Sequence, residues 1–199
     1  MLILKLGSQS AIIVLHEIYG INEHISGVCN AYFSKGYDVY CPNSLGIDKP
    51  FLYSQQEEAY AYFKQSIGFK RCDQVNALIQ QIRPFYRKII LLGFSIGATM
   101  AWICGESGLC DGIISYYGSR IRDYLRITPK CPTLLLFASQ EKSFDSQNIV
   151  SAFENKKQIT FSILSGAHGF CDPFSLNFHQ ESAKKAEDLA QIFLDAINR

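Results

Sequence analysis

ILLGFSIGATMAW, residues 90–102, sets a serine between two glycines directly behind an apolar run. Lys88 to Leu92 has the length and composition of a buried strand, and Ile96 to Cys104 those of a buried helix, so Ser95 falls on a strand-to-helix turn. A residue on so sharp a turn is expected to be strained, and Gly93 and Gly97 carry no side chains to collide with the backbone there. The hydroxyl then projects above the carboxyl ends of the strands, where ligands bind in open α/β sheets. The first turn of the following helix adds unpaired N–H groups and partial positive charge, both suited to an oxyanion. A plainer reading exists, because G-x-S-x-G arises by chance and a serine before a helix is often only its N-cap. The strand-turn-helix setting favours the nucleophile.

Working outward, apolar runs of strand length recur at Ala11 to Leu15, Tyr37 to Tyr40, Gly112 to Tyr116, Thr133 to Ala138 and Ile159 to Leu164. They mostly lack polar alternation, as strands covered on both faces do. Helical patterns lie between them: Ile25 to Lys35, Gln55 to Gln65, Arg71 to Phe85, Ser146 to Lys156, and Asn177 to Ile197. Such alternation predicts an α/β fold, a doubly wound and mostly parallel sheet with helices on both faces. At 199 residues the chain is expected to form a single domain over 1–199. Residues 43–54, NSLGIDKPFLYS, have no clear period, and a loop of that length is often part of a substrate site.

Composition narrows the partners. Nineteen basic and eighteen acidic side chains leave a formal charge of +1, which gives no electrostatic footprint for nucleic acid. No stretch approaches the roughly 18 apolar residues of a membrane span, and the N-terminal residues lack the h-region and cleavage site of a secretory signal, so a cytoplasmic protein is expected. The seven cysteines include no Cys-x-x-Cys pair and sit in apolar segments, which points to reduced core thiols rather than a metal or disulfide framework.

A serine hydroxyl is a poor nucleophile until a base takes its proton. Where the nucleophile sits on this kind of turn, the chain order is nucleophile, acid, histidine, so His16 and His24 precede Ser95 and are excluded. His179 opens the last helical pattern and reads as a surface residue. His168, in the small-residue loop LSGAHGF behind a strand, is the candidate base. The orienting acid should lie between residues 138 and 168, where SQEKSFD offers Glu141 and, as the alternative, Asp145; Glu141 is nearer the strand end. Tyr116 and Tyr117, at a strand end, and Cys171, three residues past His168, are candidates for the substrate pocket. Cys171 is also a rival nucleophile.

VLHEIYGIN (14–22), LLGFSIGA (91–98), ISYYG (114–118) and SGAHGF (165–170), with GYDVYCPNSLG (36–46), resemble the dienelactone hydrolase family of α/β-hydrolases over nearly the full chain. The resemblance implies an α/β-hydrolase fold, with Ser95 where the family has its nucleophile, His168 its histidine and Glu141 its acid. It further implies that Glu17 keeps the nucleophile partnered at rest, and that the backbone N–H groups of Ile18 and Ile96 form the oxyanion hole. Two departures bear on chemistry. The founding enzymes use cysteine where this chain has Ser95, and serine needs base assistance during the reaction itself. They also place a substrate-binding arginine shortly after the histidine, where this chain has Cys171 and Asp172, so a neutral or differently charged ester, lactone or thioester is expected rather than dienelactone itself.

The implied activity is acyl transfer from a small ester or lactone, with no metal or organic cofactor required. A thioesterase or general carboxylesterase is the alternative enzyme. From a different class, a catalytically silent scaffold that binds a small molecule or a protein is the third reading. Oligomeric state is not legible.

Overall fold

A computed structural model of the chain describes residues 1–141, 149, 151–153 and 156–199. Its apolar runs form a seven-stranded sheet from β1 (Leu2–Leu4), β2 (Ser10–Leu15), β3 (Asp38–Cys41), β4 (Lys88–Phe94), β5 (Gly112–Tyr116), β6 (Thr133–Gln140) and β7 (Ile159–Ala167). Their spatial order is β1-β3-β2-β4-β5-β6-β7, parallel throughout except for β1 against β3. The helices are α1 (Glu23–Ser34), α2 (Gln56–Tyr62), α3 (Cys72–Ile82), α4 (Ile96–Cys104) and α5 (Gln180–Ile197).

The two faces of the sheet explain why the strands showed so little polar alternation. Ile12, Val14, Ile90, Leu92, Ile114 and Leu136 pack with residues of α1 and α5 on one face. Their chain neighbours Ala11, Ile13, Leu15, Ile89, Leu91 and Ile113 pack with residues of α3 and α4 on the other. Successive residues along the central strands β2, β4 and β5 are therefore mostly apolar. Each such side chain, fully buried, contributes about 1.5–3 kcal/mol through removal from water.

The predicted elements recur with shifted ends. Residues Arg83–Phe85 leave α3 as a 3-10 turn because Pro84 has no N–H to continue the helical ladder. The turn of Phe63–Ile67 extends α2 with π geometry. β1 was not among the six expected runs, since three residues are too few to show a period. It is held by its antiparallel pairing with β3, and the turn after it by Asp38, whose Oδ1 accepts the N–H groups of Leu6, Gly7 and Ser8 at 2.8, 3.1 and 3.1 Å. Burial works to raise the Asp38 pKa, but these bonds and the Tyr86 hydroxyl outweigh it and hold the carboxyl low. Of the helix expected over Ser146 to Lys156, most lies outside the described residues. Among the described residues no helix is long and apolar enough to cross a membrane.

Topology fixes the place of the site. β2 is flanked by β3 on one side and β4 on the other, so the chain reverses its direction of winding across β2. A crevice opens beyond the carboxyl ends of strands at such a point. Residues 16–18 follow β2 and Ser95 follows β4, which brings the two segments to that crevice.

Candidate active site

Ser95 has φ +53° and ψ −112°, a conformation that side-chain-bearing residues adopt at a cost of order 1–3 kcal/mol. The turn around it is held by the Ser95 N–H, which donates to the Tyr116 carbonyl at 2.9 Å. Both flanking glycines are sterically required. A Cβ on Gly93 would overlap the backbone of Gly97 and Ala98, and one on Gly97 would overlap the backbone of Leu15 and His16. The bare Gly97 thus lets the first turn of α4 press against the end of β2.

The serine makes no capping bond to α4. Its Oγ lies 2.8 Å from His168 Nε2, and His168 Nδ1 lies 2.8 Å from Glu141 Oε1. With the carboxylate accepting from Nδ1–H, Nε2 presents its lone pair to the serine hydroxyl. Glu141 follows β6 directly, and its side chain is only 3% exposed, whereas that of His168 is 37% exposed. Asp145 lies outside the described residues. Asn177 Nδ2 donates to the His168 carbonyl at 2.8 Å, and the Tyr117 ring lies 5.0 Å from the imidazole. Burial disfavours the charged imidazole, but the hydrogen bond and charge of Glu141, joined by Glu17, outweigh it and raise the His168 pKa.

The Ile18 and Ile96 N–H groups expected to meet an oxyanion lie on the two segments that Gly97 joins. Ile96 opens α4, so its N–H has no intrahelical acceptor. Among the described residues the Ile18 N–H has no backbone acceptor outside helices and strands either. His16 orders the approach to Ile18: its Nδ1 donates to the Glu17 carbonyl at 2.7 Å while Nε2 accepts from Ser44 N–H at 3.0 Å.

Glu17 itself is buried, with Oε1 lacking a hydrogen-bond partner. The Tyr117 hydroxyl is close enough to interact but completes no hydrogen bond. Burial dominates and pushes the Glu17 pKa up to about 7, with His168 and Tyr117 lowering it less than burial raises it. This gives a sign to stability. The folded chain holds a proton on Glu17 between its ordinary 4.5 and about 7, where the unfolded chain has released it, so stability falls as pH rises through that window. The full gap corresponds to about 3 kcal/mol. Urea titrations from pH 4.5 to 8 are therefore expected to show wild type losing up to about that much more than Glu17→Gln. Parallel pH curves for the two proteins would contradict a buried, proton-holding Glu17.

The candidate pocket residues separate. Tyr117 is fully buried and packs against His168, Phe170 and Phe94. Tyr116 and Cys171 line a cavity of about 640 Å³ beside α1 and α5, with His24, Tyr32 and Phe94, and neither Ser95 nor His168 borders it. Burial, then the charges of Glu17 and Asp172, push the Cys171 thiol up, which is the wrong direction for a nucleophile. Asp172 is 1% exposed, and its carboxylate accepts from the Tyr53 hydroxyl at 2.5 Å and from Phe174 N–H at 2.9 Å. His179 caps α5, accepting from Ser182 N–H at 3.2 Å.

Sequence reasoning flagged the loop of 43–54 but missed how it is tied down. Asn22 Nδ2 donates to the Tyr53 hydroxyl at 3.0 Å, the Tyr53 ring lies 4.8 Å from that of Tyr19, and Phe51 N–H donates to the Tyr19 carbonyl. Tyr53 and Asp172 are 119 residues apart, so no local pattern carried that pairing. Among the described residues no group of three or more His, Cys, Asp or Glu side chains is placed to hold a metal ion.

Comparison with known proteins identifies the family and the fold. The family model described as "Dienelactone hydrolase family" matches residues 3–198. The uncharacterized protein YczH of Bacillus subtilis (strain 168) is 36% identical over 173 residues, covering 85% of this chain and 84% of that protein. The carboxymethylenebutenolidase of Pseudomonas putida is 24% identical over 141 residues, 65% of this chain and 60% of the enzyme. Among solved structures, the dienelactone hydrolase-like promiscuous phosphotriesterase P91 from metagenomic libraries superposes with a TM-score of 0.74 at 16% identity, over 96% of this chain and 88% of that one. These structural likenesses show the α/β-hydrolase fold.

Proposed function

The chain belongs to the dienelactone hydrolase family, and from that premise we propose that it hydrolyses small neutral carboxylic esters or lactones through Ser95, His168 and Glu141. The observation that carries this reading is the unbroken hydrogen-bonded line from Ser95 Oγ through both ring nitrogens of His168 to Glu141. His168 Nε2 takes the hydroxyl proton as Oγ attacks the carbonyl carbon, and Glu141 holds the tautomer and balances the imidazolium that forms. The Ile18 and Ile96 N–H groups receive the developing oxyanion. The imidazolium then protonates the leaving alcohol, which in a lactone stays attached as the hydroxyl end of the acyl group. A water, deprotonated by the same Nε2, attacks the acyl-serine and restores Ser95.

The preference for neutral substrates rests on charge. The positions behind His168 where the founding enzymes place their arginine carry Cys171 and Asp172, and Asp172 is buried and bonded to Tyr53, so no cation there compensates a substrate carboxylate. A substrate carboxylate brought there loses water without gaining a counter-charge.

Labelling with a fluorophosphonate tests the nucleophile. Wild type is expected to gain one adduct, on the peptide carrying Ser95, and Ser95→Ala none. Well-folded wild type that takes no label would instead favour the silent scaffold. A panel of 4-nitrophenyl acetate, δ-valerolactone and acetyl-CoA separates the enzyme readings, since preference for acetyl-CoA would assign a thioesterase. The base adds a pH signature: because His168 must be neutral to accept the proton and its pKa is raised from 6.5, kcat/KM is expected to fall on acidification with an acid limb above pH 6.5.

A further inference from the structure

Six of the seven cysteines meet in pairs inside the fold. Cys29 of α1 touches Cys41 of β3, Cys72 of α3 touches Cys104 of α4, and Cys110 lies against Cys131 with 3.6 Å between the sulfurs. None belongs to the candidate active site. From this arrangement we infer that Cys110 and Cys131 are a dithiol that closes reversibly to a disulfide when the protein meets a peroxide.

The backbone already supplies the geometry for this pair. Cys110 and Cys131 lie just ahead of the neighbouring parallel strands β5 and β6, whose registered partners include Ile113 and Thr133. The Ile113 N–H donates to the Pro132 carbonyl at 3.0 Å, which ties the two lead-in segments together. Neighbouring strands run about 4.8 Å apart, inside the Cα separation of about 4.4–6.8 Å that disulfides span. The sulfurs therefore need to approach by only about 1.5 Å to reach a bond length near 2.05 Å.

The two sulfurs lie 3.6 Å apart and either thiol can donate to the other, so the pair holds one thiolate with the remaining thiol hydrogen-bonded to it. The Thr133 hydroxyl, which donates to the Cys131 carbonyl at 3.1 Å, lies beside Cys131 and favours that residue as the thiolate. The Cys131 thiolate attacks one oxygen of hydrogen peroxide, breaking the O–O bond and giving a sulfenic acid and hydroxide. Cys110, as thiolate, then attacks the Cys131 sulfur and expels the sulfenic oxygen, which leaves as water with the available protons. Two thiols are oxidised by two electrons and one peroxide becomes two waters. Both residues are 5% exposed, enough for a small peroxide to approach, whereas Cys29 and Cys41 are 0% exposed and serve as a built-in comparison.

The closed bond would span residues 110–131, a segment that contains β5, Tyr116 and Tyr117. Cross-linking it restrains the unfolded chain, so the oxidised protein is expected to melt at a higher temperature. The experiment treats reduced full-length protein with hydrogen peroxide, digests it without reduction, and reads linked peptides by mass spectrometry. Titratable thiols in denaturant are expected to drop from seven to five, with a Cys110–Cys131 cross-link that dithiothreitol reverses. Cys131→Ser is expected to keep its remaining six thiols under the same exposure, and Cys110→Ser to form no cross-link while leaving Cys131 as a sulfenic acid that dimedone traps. Retention of all seven thiols, cross-linking confined to Cys29–Cys41, or conversion of Cys131 to sulfinic acid without a cross-link would each overturn the assignment. The wild-type peptide readout decides the matter even if a variant fails to fold.

Discussion

Ser95→Ala lowers kcat for 4-nitrophenyl acetate by about 10⁵–10⁶, His168→Ala by a similar factor, and the double variant by no more than either alone. The reason is that the proposed mechanism makes the hydroxyl and the imidazole one unit. Oγ at 2.8 Å from Nε2 is a nucleophile only while the ring accepts its proton, and the ring does nothing once the hydroxyl is gone. Independent contributions would multiply, giving a double variant far below either single one. What survives in all three proteins is the contribution of binding and of the oxyanion donors, each of which is typically worth about 10²–10³. A Ser95→Ala protein within tenfold of wild type would remove the acyl-serine from the mechanism. Steady-state kinetics on purified variants, with circular dichroism to establish folding, is the measurement.

Gly97→Ala, a single added methyl, is expected to destabilise the protein by more than about 4 kcal/mol or to prevent folding. Its Cβ would fall within contact distance of the Leu15 carbonyl group and 2.7 Å from the His16 carbonyl oxygen. Those atoms are backbone of a central strand and of the turn leading to Ile18, so no rotamer change relieves the overlap. Relief requires α4 to move off β2, which opens the apolar contacts between them and separates the two oxyanion segments. Gly27 supplies the control, because a Cβ there meets nothing within 4 Å and the residue lies inside α1. Gly27→Ala should stabilise by about 0.5–1 kcal/mol through helix propensity and reduced unfolded-state entropy. Urea denaturation of the two variants side by side separates steric need from conformational freedom. Equal stabilities would mean that the elbow tolerates a side chain and that the close packing of α4 on β2 is dispensable.

The parts of this molecule that a reader of the sequence could find are those whose signal is local. Ser95 announces itself by its two glycines and its strand-turn-helix setting, and the apolar strands by residues that must be covered on both faces. His168 followed from chain order and a small-residue loop. Glu141 was preferred over Asp145 by its nearness to a strand end, and it lies within hydrogen-bonding distance of His168. Other features depend on residues distant in the chain. Asp172 was read as a charge facing substrate, yet it is buried and spends its carboxylate on Tyr53 and the Phe174 amide. Tyr116 sits at a strand end as expected, but alternation along the strand turns it toward α1 and α5 rather than toward Ser95. The cysteine pairs were equally hidden: Cys110 and Cys131 are 21 residues apart with β5 between them, and only the sheet brings them together.

The fastening of Tyr53 to Asp172 and Asn22 bears on how fast a ligand is taken up. The segment around residues 43–55 is bonded to the turn after β2 and to the segment behind His168 by the chain's own hydrogen bonds. A mouth built this way has its shape before any encounter, so capture needs no folding of a flap and no waiting for a rare open form. Uptake should therefore follow a single exponential whose rate rises in proportion to ligand concentration, without the plateau that marks a slow rearrangement after contact.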